Sequence, residues 1–255
     1  SGKNASLTHP RSPLPNTWLN SGLSAVCPSG AFEIGQTVLE KYLLLPHRQN
    51  TVQISYKLLA GPGPIQLELR PALFFRPHEG RVDEPLLEPY TLLAKGERYE
   101  ISGRKDHPSL RLCLLGEEAA LTLKRDLIRD LHYRVEARRG YDAQGVLWSP
   151  GSFTTELSVN RTATLIASSE AWETVDALAP QEALSAERER RERLLLAAPA
   201  QAQEGLGAEL VLAADQFITF TLGASKKLPA PALLVTKYER SSPGITGSPI
   251  GGATR

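Results

Sequence analysis

Residues 50–75, NTVQISYKLLAGPGPIQLELRPALFF, decide the fold. Val52, Ile54, Tyr56 and Leu58 alternate with Gln53, Ser55 and Lys57. A period of two places alternate side chains on opposite faces of a strand, here one apolar and one polar. Ile65, Leu67 and Leu69 alternate in the same way with Gln66, Glu68 and Arg70. Between the two runs lies GPGP, residues 61–64, a turn signal. The pair reads as an antiparallel hairpin with one dry face and one wet face.

Short strand candidates recur on both sides of this stretch. They are Phe32–Leu45 (broken), Arg98–Ser102, Ser109–Leu115, Ala119–Leu123, Phe153–Val159 and Thr162–Ala167, with Pro and Gly between them. Many short strands with turn signals predict an antiparallel β-sandwich. RRGYDAQGVLWSPGSF, residues 138–153, reads as the longest glycine-marked loop of this block. The composition changes after Ser168. SSEAWETV has the serine and early acid of a helix start. PQEALSAERERRERLLLAA, residues 180–198, predicts a helix with proline in its first turn. Glu187 precedes Arg191 by four residues, as Glu189 precedes Arg193, which is the favourable order for pairs along a solvated face. GAELVLAADQF, residues 207–217, predicts one more helix. The chain therefore divides into a segment 1–31 without strand signal, a β-sandwich over 32–168, a helical linker region over 169–218 and a tail over 219–255.

Composition bounds the function. The chain has 255 residues, 41% of them hydrophobic and 22% charged, a globular balance with length enough for a core. A net charge of +1 gives no electrostatic footprint for nucleic acid or an anionic membrane. No apolar run is long enough to span a bilayer, and SGKNASLTHP lacks the apolar stretch of a signal peptide. Cys27 and Cys113 form neither a disulfide framework nor a metal motif, so the reading is two thiols in a cytoplasmic protein. Asn4 and Asn160 begin short glycosylation patterns, which are discounted without a secretion signal. No methionine occurs at any position, which suggests an internal piece of a longer protein.

From Phe32 onward the residues resemble the N-terminal domain of bacterial and archaeal glycogen debranching enzymes. The resemblance is carried by FEIGQTVLEKYLLLPHRQNTVQISYKLLAGPGPIQLELRPALFFRPHE, by VEARRGYDAQGVLWSPGSF and by AADQF, in that order, and spans roughly Phe32 to Ile218. The family's turn before the second of these strands reads HGQNT. Here it is HRQNT, His47 to Thr51, with Arg48 where glycine would permit a left-handed residue, so the geometry of the turn stays open.

The resemblance implies a supersandwich-like β domain joined by a helical linker to an (α/α) barrel that hydrolyses α-1,6 branches of glycogen-like glucans. That chemistry generally takes two carboxyl groups flanking the scissile bond, and in the family both lie in the barrel. It therefore implies no catalytic residue, no cofactor and no metal ligand in this chain, which alone is expected to be inactive. Its implied partners are an α-glucan and its own barrel. The sequence leaves a second reading open, a free-standing carbohydrate-binding or structural sandwich.

The tail SSPGITGSPIGGATR, residues 241–255, has no apolar periodicity. Codons for Leu234 to Arg255, read one base out of step, are compatible with a run ending VIAGYHWFSDWGRDT, similar to the family's barrel-opening motif. Val26 to Phe32 behaves likewise with LPVWRF. Segments near 12–31 and 219–255 are therefore expected to be out of frame and unstructured.

No constellation in the sequence supplies a site of its own. Asp83-Glu84 and Glu117-Glu118 are neighbours, which on a strand point to opposite faces. His47, His78, His107 and His132 lack ligand spacing, and Ser152 lies in no nucleophile elbow. Aromatic rings can stack on sugar faces. Tyr90, Tyr99, Tyr141 and Trp148 fall in or near expected loops. Trp148 and Tyr141 are the candidate glucan contacts, Trp148 first.

Overall fold

The structure, a computed structural model, describes residues 29–77, 80–84, 86, 90–103, 107–216 and 232–236. His78, Cys27 and most of the two segments expected to be out of frame lie outside these residues. The described chain opens with β1 (Ser29–Ile34), β2 (Thr37–Leu44), β3 (Thr51–Ala60) and β4 (Ile65–Phe74). It continues with β5 (Thr91–Lys95), β6 (Arg98–Ser102), β7 (Leu110–Leu115) and β8 (Glu117–His132). A short helix α1 (Arg134–Arg138) leads to β9 (Gln144–Leu157) and β10 (Thr162–Ser168). Helices α2 (Trp172–Val175), α3 (Pro180–Ala197) and α4 (Gly205–Gln216) follow, and β11 (Ala232–Thr236) is last.

Two antiparallel sheets form, a seven-stranded one in the order β1-β2-β3-β10-β7-β6-β5 and a four-stranded one in the order β11-β4-β9-β8. The sandwich expected from the strand pattern is therefore present, but the expected hairpin is not. β3 pairs with β2 and β10, whereas β4 pairs with β9 and β11, so GPGP carries the chain from one sheet to the other. Pro62 and Pro64 have no N–H to extend a ladder, which favours an arch over the sandwich edge. The apolar faces of both strands then meet from opposite sides. Ile54, Tyr56 and Leu58 join Ile65, Leu67 and Leu69 in one core with Leu112, Phe153 and Leu165.

The polar face of β3 is not wet. Thr51, Gln53 and Ser55 are buried on the outer face of the seven-stranded sheet. Thr51 lies opposite Ser168 and Ser55 opposite Thr164 in the β3–β10 register. Their hydroxyls pair at 2.7 and 2.8 Å, so each is satisfied without water. The helices cover this side of the sheet. Ala183 and Leu184 of α3 pack on Leu44, and Val175 of α2 packs on Cys113 and Ile166 with Trp172 beside it.

Two glycines are fixed by where the chain bends. Gly116 sits between β7 and β8, where the chain changes sheets; a Cβ there would lie 2.4 Å from the Thr155 hydroxyl oxygen. Gly151 has φ +140°, and a Cβ would lie 2.0 Å from the Thr122 carbonyl oxygen. It faces Leu123 in β8 beside an irregularity in the β8–β9 register. Such irregularities explain why Ala119–Leu123 is only the start of β8. The register shifts three times along that strand, so alternation is lost beyond Leu123. They also explain why the expected loop 138–153 is mostly strand β9.

Arg48 takes the left-handed conformation, φ 60°, that glycine would have made free of strain. Within the tail read as unstructured, Ala232–Thr236 pairs antiparallel with Arg70–Phe74 of β4, as suits its apolar, strand-forming sequence ALLVT.

Candidate functional site

The two candidate glucan contacts lie in different environments. Trp148 is 9% exposed, in the middle of β9 and inside the main core, so its reading as a loop residue is corrected. Its ring meets Tyr90 edge-on at 5.2 Å, and Tyr90 meets Phe75 at 5.0 Å and 88°. The Phe75 N–H donates to the Tyr90 hydroxyl at 2.9 Å, which satisfies that polar tip inside the core. Tyr99 is also taken up by packing, edge-on to Phe153 at 5.3 Å. At 9% exposure, Trp148 offers little surface to a sugar.

Tyr141 differs. It is 67% exposed and sits on the turn between α1 and β9. The Tyr141 N–H donates to the Glu136 carbonyl at 3.0 Å, and the Tyr133 N–H donates to the Ala143 carbonyl at 2.8 Å, which fixes the turn's backbone. Beside it Arg81 bridges Asp142 and Asp83, the latter at 2.6 Å. The hydrogen bond from Arg81 holds the Asp83 carboxyl below its usual range. Tyr141 is therefore an exposed ring on a fixed turn next to an ion-paired cluster of one guanidinium and two carboxylates.

The carboxylate pairs do no joint work. Asp83 is engaged by Arg81, and Glu117 lies 3.5 Å from Arg161. Of the histidines, His47 and His132 are exposed and His107 packs edge-on against Phe75 at 6.3 Å. Among the described residues no three His, Cys, Asp or Glu side chains come together as metal ligands.

A cleft of about 290 Å³ with mixed polar and apolar walls lies between α3 and the outer face of the seven-stranded sheet. The HRQNT turn forms one wall through His47 and Gln49, and Thr51 and Gln53 of β3 supply the floor. Glu187 and Arg190 of α3 and Thr174 of α2 close it. Glu187 is 5% exposed. Burial alone would raise its carboxyl, but hydrogen bonds from Arg190 and Arg191 outweigh it and hold the group below the usual glutamate range. Arg190 reaches both Glu187 oxygens at 2.8 Å and Asp215 of α4 at 2.7 Å. The AADQF stretch thus anchors α4 to α3 through Asp215. Sequence reasoning placed Glu187 on a solvated face and gave Gln53 no role. The available signals were the HRQNT turn and the polar residues of β3, whose burial depends on where the helices dock.

The family described as glycogen debranching enzyme N terminal matches residues 19–164. No curated protein matches the chain. Among solved structures, a family GH92 alpha-mannosidase from Bacteroides thetaiotaomicron, in complex with mannoimidazole, aligns at 8% identity over 66% of this chain and 21% of its own. Its TM-score is 0.20, too low to carry an argument about this fold. The chain spans about a fifth of that protein's length.

Proposed function

Because this chain belongs to the glycogen debranching enzyme N-terminal family, we propose that it is the non-catalytic sandwich domain of such an enzyme in α-glucan breakdown. It supports a helical barrel in which the α-1,6 bonds are cleaved and holds branched glucan beside it through Tyr141. The observation that carries this reading is the family match, which covers most of the two-sheet core. Tyr141 is the member of the aromatic set with its ring free to stack.

The test is twofold. The chain, mixed with the separately purified barrel of a debranching enzyme from the same family, should elute with it as one species. It should also pellet with branched glycogen, and Tyr141→Ala should reduce the pelleted fraction severalfold while leaving the melting temperature unchanged. A chain that ignores both barrel and glycogen would sink the proposal.

A further inference from the structure

The net charge of +1 is unevenly spread along the chain. Residues 124–139 hold six Lys or Arg against three acids, a net +3 in 16 residues that leaves −2 for the rest. The six are Lys124, Arg125 and Arg129 of β8 with Arg134, Arg138 and Arg139 of α1 and its C-terminal end, and all are exposed. None of them forms an ion pair among the described residues. Of the nearby acids, Asp126 is already held by Arg70 at 2.6 Å. Elsewhere exposed arginines do find carboxylates, Arg81 with Asp83 and Arg98 with Asp176. The strip is an excess of positive charge that the fold itself does not answer.

The topology gathers these cations on one border. β8 is the last strand of the four-stranded sheet and, among the described residues, pairs only with β9. Lys124 and Arg125 fall in one irregularity of that pairing and Arg129 in the next, where a residue is left out of the ladder. α1 follows β8 after Tyr133 alone, and Arg134 and Arg138 stand one turn apart on it. Like charges in such a row repel one another, and an anionic partner converts that repulsion into attraction.

The rest of the border selects the kind of anion. Leu123, Leu127 and Val135 are exposed between the cations, Leu123 by 61%. Aliphatic side chains gain from an apolar partner, which a phosphate backbone does not supply. β8 and α1 carry no Phe, Tyr or Trp on which bases would stack. The outer edge of β8 presents N–H and C=O groups that another polypeptide can take up. Its regular runs are short, Ala120–Leu123 and Asp126–Ile128, so side chains supply most of the recognition. Five of the six cations are arginines, whose planar forks bind carboxylates through two parallel hydrogen bonds.

We infer that the border formed by β8 and α1 is a docking surface for an acidic polypeptide segment in which carboxylates alternate with aliphatic side chains. This inference is independent of the glucan reading and goes beyond it.

The experiment titrates the full 255-residue chain into a fluorescein-labelled peptide of repeated Glu-Val-Glu-Thr, followed by fluorescence anisotropy. The expected result is saturable binding that weakens about tenfold or more from low to high salt, as exposed charges are screened. Arg125→Glu combined with Arg129→Glu should weaken binding about tenfold or more and leave the melting temperature unchanged, since both side chains are exposed and unpaired. Lys95→Glu combined with Arg188→Glu makes the same change of charge at exposed positions of β5 and α3 and should leave the affinity nearly unchanged. Leu123→Ser should weaken binding severalfold, which attraction between charges alone would not produce. Failure of the peptide to bind saturably, equal losses in the two double variants, or an unchanged affinity in Leu123→Ser would overturn the inference. So would oligouridylate or phosphatidylserine vesicles binding more tightly than the peptide through Arg125 and Arg129.

Discussion

Replacing Trp148 by alanine separates two incompatible roles for one side chain. As a surface platform for sugar it would leave stability nearly unchanged when removed. In the structure it is a core residue, 9% exposed and edge-on to Tyr90, which in turn packs edge-on against Phe75 and accepts that residue's N–H. Truncating a buried tryptophan to alanine costs about 3–5 kcal/mol through lost transfer energy and the cavity left behind. Losing the aromatic pair with Tyr90 accounts for about 0.5–1.5 kcal/mol of specific geometry within this range. Against a total stability of about 5–15 kcal/mol, Trp148→Ala should consume a large share. For a domain of this size the melting temperature should fall by about 6–20 °C. Trp148→Phe keeps a ring against Tyr90 and should recover more than half of the loss. The assay is urea unfolding followed by far-ultraviolet circular dichroism, with the unfolding slope checked for constancy across the variants. A loss below about 1 kcal/mol for Trp148→Ala would refute the buried placement and return this residue to the candidate surface contacts.

Gly151→Ala should be among the most damaging single-methyl changes in the chain. Its φ of +140° and the 2.0 Å approach to the Thr122 carbonyl leave no room for a Cβ, so a loss of about 2 kcal/mol or more in the same unfolding assay is expected. Glu187 gives the acid limb of stability. Its folded-state carboxyl lies below the usual glutamate value of 4.5, so its contribution is complete above that value and fades as pH falls through the lower, folded value. Melting curves from pH 7 to 3 should therefore show Glu187→Gln about 2 kcal/mol less stable than the parent at pH 7, with the two converging in acid; parallel curves would contradict the pairing with Arg190 and Arg191. Burial pushes the Cys113 thiol up to about 11. In a Cys27→Ser background Cys113 should resist a thiol reagent at pH 8 until denaturant is added, and fast labelling of the folded chain would contradict its packing under α2.

The class of fold is legible in the sequence because burial on one face leaves a period of two. Ile54, Tyr56 and Leu58 announce the core side of β3, and Ile65, Leu67 and Leu69 that of β4. The same pattern cannot say which sheet each strand joins. A hairpin and an arch between two sheets present identical alternation, and only the two prolines of GPGP tip the balance toward the arch. Polar alternation was equally blind to what covers it. Gln53 and Ser55 look like solvent-facing residues until α2 and α3 dock over them, and that docking is set by Leu44, Ala183 and Leu184 far apart in the chain. Trp148 was misplaced because Gly151 and Pro150 signal a loop, whereas here they mark an irregular point inside a long strand. Tyr141 needed no tertiary information, since the Arg-Arg-Gly-Tyr-Asp stretch fixes an exposed turn locally. The helices were read from proline at the start of α3 and from its charge spacing. The role of Glu187 escaped because one of its charge partners also reaches a different helix through Asp215.

The most direct measurement is glucose release from a phosphorylase limit dextrin by three samples: the chain alone, a family barrel alone, and the two combined. A supporting sandwich without its own cleavage machinery predicts no release by the chain alone and greater release by the combination than by the barrel. Glucose released by the purified chain on its own would contradict the account.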